Sequence, residues 1–180
     1  MYELFILGQL MDRPMTGYQL RKALVNVVGQ ELTISFGALY PLLDKLAAAG
    51  ELRLDFKTTT SKRPQKEATL TASGRRHFWA LVLAPVALNK QTQLTFQIKL
   101  NFLHLLTLAQ QLTILMDFQT FAQGQLDRLA EHQARLQHNE HMVQADVVDA
   151  LLVSDLQTQR AQAQLDWLTA LIQTKRETKL

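Results

Sequence analysis

The chain contains no cysteine. That excludes a disulfide framework, a thiolate-ligated zinc and a thiol nucleophile, and it is the usage expected of a cytoplasmic protein. Proline and glycine are scarce, at four and seven residues, and unevenly placed. After Pro85 there is no proline, and Gly124 is the only glycine. Long apolar runs are missing too. The greasiest stretch, "FQIKLNFLHLLTLAQQLTILM", is broken by Lys99, Asn101, His104 and several glutamines, so no membrane span is expected. The opening "MYELFILGQLMDRP" has neither a basic leader nor a small-residue cleavage site, and Glu3 interrupts it, unlike a signal peptide. There is no phosphate-binding glycine loop, no nucleophile elbow and no carboxylate pair on an evident apolar cleft, so catalysis is not expected and no cofactor is implied. In "HNEHM", His138 and His141 are three residues apart around Glu140. No third ligand accompanies them, and they read as two solvated histidines at a turn rather than a metal site.

What remains is 47% hydrophobic and carries a net charge of +3, spread unequally. Residues 1–90 hold twelve Lys and Arg against seven Asp and Glu, a net +5, whereas residues 91–180 hold seven against nine, a net −2. A basic first half facing a polyanion and a second half with another task is the functional reading; a solvated basic face is the plain one.

Periodicity orders the first half. Leu4, Phe5, Leu7, Leu10 and Met11 form a helical stripe that Asp12, Arg13 and Pro14 stop. Thr16 is placed to cap a second helix, with Leu20, Leu24, Val27 and Val28 inward and Gln19, Arg21, Lys22 and Asn26 outward, and Gly29 ends it. A third helix has Leu39, Leu42, Leu43 and Leu46 on one side and stops at Gly50. Its start is open: it either includes Gly37 or begins near Leu39, with Gly37 in an entry turn. "ELRLDFK" alternates, with Leu52, Leu54 and Phe56 on one face. A polar, basic loop leads to a returning strand, "KEATLT", after which Thr71 caps a further helix. Helix, helix, helix, strand, strand with a basic loop between the strands is the order of a winged helix, whose two-stranded wing follows a helix-turn-helix.

From residue 84 the character changes. We expect a winged-helix domain at 1–83, a linker at 84–93 and a helical dimerisation domain at 94–180, mainly α throughout. Thr107 and Gln110 form a capping box for a long helix with Leu112, Leu115, Ala122, Leu126, Leu129 and Leu136 at heptad-like spacing. The last helix has two apolar stripes. Val148, Leu152, Leu156, Ala163, Trp167 and Leu171 form one; Leu151, Leu165, Leu168 and Ile172 form the other. An isolated helical hairpin cannot hide both; a second copy would cover what is left, giving a homodimer, and the plain alternative is a monomeric bundle in which the linker region covers both stripes.

These motifs resemble those of the PadR family of bacterial transcriptional regulators. "ILGQLMDRPMTGYQLRKAL" is similar to the family's opening helix and glycine-tyrosine pair, "ISFGALYPLLDKLAAAGEL" to its recognition helix, and "TASGRR" to the start of the helix after the wing. The region around "FQIKLNFLHLL" and "LDWL" resembles the C-terminal domain of the subgroup that dimerises through it. Ala38 stands where the family usually has threonine, and Glu67 and Ala68 stand where an aromatic is usual.

The resemblance implies a cytoplasmic repressor that binds a near-palindromic double-stranded operator as a homodimer and is released by a small, often phenolic or aromatic, effector. On that reading Ser35, Gly37, Ala38, Tyr40 and Lys45 of the third helix approach DNA, with Tyr18 and Lys22 from the second helix. Lys62, Arg63 and Lys66 of the wing follow phosphates. Trp79, Phe96, Phe102, His104 and Trp167 are the candidates for an effector pocket; plain core packing is their other explanation. The rival function is a winged-helix adaptor that binds protein rather than DNA.

Overall fold

The computed structural model describes residues 1–29, 34–57 and 65–177. The chain divides into two compact units, Met1–Leu106 and Thr107–Leu180.

The first unit runs α1 (Tyr2–Gln9), β1 (Met15–Thr16), α2 (Gly17–Val28), α3 (Phe36–Ala48), β2 (Leu52–Lys57), β3 (Gln65–Leu70), α4 (Ala72–Leu83) and α5 (Thr92–Leu100). α2, α3 and α4 start where the side-chain oxygens of Thr16, Ser35 and Thr71 take over orphan amide donors. The Thr16 hydroxyl accepts from the Gln19 amide while the Gln19 side chain accepts from the Thr16 amide, a complete capping box at α2. Gly29, with φ of 85°, ends that helix. Leu4, Phe5, Leu7, Leu20, Leu24, Leu39, Leu43 and Leu46 are buried, so the inward stripes of the first three helices meet as their spacing predicts.

The sheet has three strands, not the expected two, in the order β1-β3-β2, all antiparallel. Met15 pairs with Ala68 and Thr16 with Glu67. Two residues carry no readable period, and their pairing is set by a strand some fifty residues away, which is why β1 left no mark in the sequence pattern. On β2 the alternation holds at its base, where Leu52 is buried. It fails at the tip: Phe56, expected with Leu52 and Leu54, is 71% exposed. At the junction with α4, Thr71 accepts from the Gly74 amide and donates to the carbonyls of Gly50 and Glu51.

The division at Leu106 differs from an expected boundary between 83 and 94. The irregular stretch 84–91 is pinned rather than free. Buried Thr92 donates to the Ala87 and Asn89 carbonyls at 2.8 and 2.7 Å. The Lys99 ammonium bonds the carbonyl of Ala84, the residue that caps α4. α5 then packs on α2.

The second unit is a pair of long helices, α6 (Leu108–Gln137) and α7 (Gln144–Glu177). Thr107 and Gln110 form the capping box expected for α6. Ile114, Leu115, Phe118, Ala122 and Leu136 of α6 are buried, as are Val147, Ser154, Ala161 and Leu168 of α7 at intervals of seven. Gln119 donates to Thr169 at 2.8 Å and Lys175 to Gln111 at 2.7 Å across the pair. The other stripe of α7 is left outside: Val148, Leu152, Leu156 and Trp167 are all about half exposed or more. His138, at the end of α6, places Nδ1 2.8 Å from the Ala134 carbonyl.

Candidate nucleic-acid interface

α3 begins at Phe36, which settles the alternative left open by the sequence: Gly37 lies inside the helix. Ser35 is the N-cap, its Oγ accepting from the Ala38 amide at 3.2 Å. Leu39, Leu43 and Leu46 are buried, while Ser35, Phe36, Gly37, Ala38, Tyr40, Pro41, Asp44 and Lys45 are exposed. Pro41 sits within the helix and has no N–H to give the Gly37 carbonyl, so one rung of the ladder is missing. A Cβ built on Gly37 would meet nothing nearer than the Ser35 hydroxyl at 3.8 Å. Nothing in the described chain therefore demands glycine there.

Tyr40 does have a structural partner. A Cβ on Gly17 would press on the Tyr40 ring at 3.2 Å, and the ring lies 5.9 Å from that of Phe36 in a roughly parallel arrangement. Gly17 and Tyr40, from motifs more than twenty residues apart, thus form one contact that seats α3 on α2. Tyr18 is turned outward, 63% exposed, as is Lys22. Arg21, expected outward, is instead only partly exposed, because its guanidinium lies 4.8 Å from the centroid of the Phe36 ring, a cation–π geometry at the first turn of α3. The helical period alone put it on the wrong side; the aromatic it stacks on lies in the next helix.

Two of the expected phosphate-contacting lysines are ion-paired. Lys45 Nζ is 2.8 Å from Glu3 Oε1 of α1, and Lys66 Nζ, on β3, is 2.8 Å from Asp44 Oδ1 of α3. The hydrogen bond and charge of Lys45 hold the Glu3 carboxyl below its ordinary value, against a smaller opposing effect of burial, and Glu3 in turn raises Lys45. Lys62 and Arg63 lie outside the described residues.

The candidate effector residues fall in different settings. Phe96 and Phe102 are buried in the first unit, where Phe102 stands edge-on to Phe78 at 5.4 Å and covers Gly8 so closely that a Cβ there would overlap its ring. Trp79 is partly exposed and His104 exposed. Trp167 belongs to the second unit and is half exposed. Open clefts along α6 and α7 are lined by other residues, Gln119, Gln123, Asp127, Leu165 and Thr169 among them.

Residues 6–80 match the model of the transcriptional regulator PadR-like family. Within the first unit, these residues are similar to that family. The match runs from the second half of α1 through most of α4 and so includes every described residue of α3. Among solved structures, the chain is similar to Bacillus subtilis PadR in complex with operator DNA, at 20% identity over 96% of each chain and a TM-score of 0.46. It is similar to Bacillus subtilis PadR in complex with p-coumaric acid at 19% identity, over 97% of this chain and 94% of that one, with a TM-score of 0.42. The smu.1704 structure from Streptococcus mutans UA159 is 29% identical over 44% of this chain and 71% of its own, with a TM-score of 0.39. At these scores the structural likenesses carry no argument, and the similarity to the PadR-like family is confined to residues 6–80. No curated protein matches the chain.

Proposed function

We propose that the chain is a sequence-specific DNA-binding transcriptional regulator, a repressor whose α3 enters the major groove. The observation that carries this reading is Gly37. An exposed glycine in the first turn of a helix costs up to about 1 kcal/mol relative to alanine, the interior value, and here the described chain gains no packing from it. A bare helix surface suits a backbone approached closely from outside. Ser35 and the first turn of α3 offer an oxygen and amide donors to a phosphate. Tyr18, Lys22, Ala38, Tyr40, Lys45 and Lys66 are the other residues we assign to DNA, together with Lys62 and Arg63, which lie outside the described residues.

On this reading the outward stripe of α7 joins two copies. Their α3 helices then meet successive major grooves of a near-palindromic operator. A small aromatic ligand with different affinity for the bound and released arrangements would shift the population off DNA. For that role the accessible rings of Trp79, His104 and Trp167 are better placed than the sealed rings of Phe96 and Phe102.

Titrating the full chain against the DNA upstream of its own gene and against random duplex, over a salt series, tests the reading. Preference for its own DNA and a steep loss of affinity with salt are expected, and replacing Lys62 and Arg63 by alanine should reduce the slope by up to about two. Equal affinity for both duplexes removes the regulator reading and leaves the adaptor.

A further inference from the structure

The two ion pairs flanking the exposed face of α3 have a common plan. In each, a lysine that the DNA-binding reading assigns to phosphate is held by a carboxylate from a neighbouring element: Glu3 of α1 takes Lys45 of α3, and Asp44 of α3 takes Lys66 of β3. Neither pair is buried. The Lys45 side chain is 72% exposed and that of Asp44 55%, so solvent screens both pairs and each adds little to folding. Their electrostatic effect outside the protein is larger in relative terms. A lone ammonium attracts a polyanion over about a Debye length, but an ammonium 2.8 Å from a carboxylate presents a dipole whose field fades faster. A phosphate reaching either lysine must share or displace that carboxylate.

We propose, building on the DNA-binding reading, that Glu3 and Asp44 are specificity-determining residues, internal stand-ins for phosphate that discount the attraction of α3 for duplex DNA of any sequence. Random duplex, which meets α3 only through its backbone, bears the whole discount. An operator that admits α3 into its groove recovers it through contacts the carboxylates do not touch. The ratio of specific to non-specific affinity is therefore raised by the acidic partners, at some loss in absolute affinity.

The experiment compares wild type, Glu3→Gln and Asp44→Asn for binding to a short random-sequence duplex and to the upstream fragment of the gene, across salt. Each substitution is expected to raise random-duplex affinity roughly three- to fivefold at low salt, to steepen the salt slope by up to about one, and to change operator affinity less. In a Lys45→Ala background the gain from Glu3→Gln should fall by at least half, because the carboxylate then has no lysine to withhold. Pairs that merely brace α1, α3 and β3 would give lower melting temperatures with unchanged or weaker DNA binding; that result, or a gain that persists undiminished without Lys45, overturns the proposal. Should Glu3→Gln fail to fold, Asp44→Asn carries the same test from an exposed position. Wild-type protein that binds neither duplex removes the DNA-binding reading and this inference together. Normal operator binding with unaltered variants removes this inference alone.

Discussion

Gly74 of α4 sits directly against the backbone carbonyl of Glu51, and a Cβ at 74 would overlap that oxygen and crowd the Leu70 side chain. The same Glu51 carbonyl accepts from the amide and the hydroxyl of Thr71. The threonine and glycine three residues apart are therefore two halves of one clasp that fastens the start of α4 to the base of the wing. Backbone cannot retreat as a flexible side chain would. Gly74→Ala should cost about 2–3 kcal/mol, read as a lower urea midpoint with an unchanged slope.

Gly37→Ala should do the reverse. With open space around the position, the added methyl enters no clash and removes the helix penalty of glycine, raising stability by up to about 1 kcal/mol. DNA affinity should fall in the same variant, because the methyl projects where the groove wall would come closest. A thermal melt and a binding titration on one preparation show whether the two effects part company in this way.

The Glu3–Lys45 pair gives a pH dependence of known sign. Glu3 has its carboxyl lowered from 4.5 in the folded chain. Its contribution is present above the unfolded value and is lost as pH falls through the lowered one. Lys45 is raised from 10.5; its contribution is present below the unfolded value and is lost as pH rises through the raised one. The stability difference between wild type and Glu3→Gln should thus be small and constant across the neutral range and should vanish on acidification below 4.5. Melting curves of both proteins over that range check it. High salt should shrink the difference at neutral pH.

The outward stripe of α7 predicts assembly. Leu152 is 65% exposed and Leu156 52%, one helical turn apart. Replacing both by glutamate should convert a dimer into monomer in sedimentation while leaving α6 and α7 helical by circular dichroism. Operator affinity should fall far more than on replacing Lys62 and Arg63 by alanine, since two half-sites are then no longer held together. A wild-type chain that sediments as a monomer at all accessible concentrations defeats the prediction.

Legibility in the sequence followed the range of the interactions concerned. Thr16, Ser35, Thr71 and Thr107 cap their helices as local rules require, because a cap is settled within three residues. The sequence pattern marked two apolar stripes on α7, but of the line that α6 covers only Leu168 belonged to either; Val147, Ser154 and Ala161 belonged to neither. Which line is covered depends on fit, and small Ser154 and Ala161 let the helices close along the 147-154-161-168 line. Non-local features were illegible. β1 exists only through β3, the Arg21 guanidinium turns toward a ring in the next helix, and α5 joins the first unit through Lys99 and Thr92 rather than through any period of its own. At the candidate site, the sequence supplied the helix and its cations. The carboxylates that hold two of those cations come from positions 42 and 22 residues away, beyond the reach of spacing arguments.

Thr16 has two employers. Its backbone lies in the sheet opposite Glu67, and its hydroxyl fastens the entry turn of α2, the helix on which α3 is seated through Gly17 and Tyr40. Lifting the β3 finger unzips a strand only two residues long and, in the same movement, unlatches the end of α2. A displacement of β3 would therefore reach the seat of α3 through one threonine.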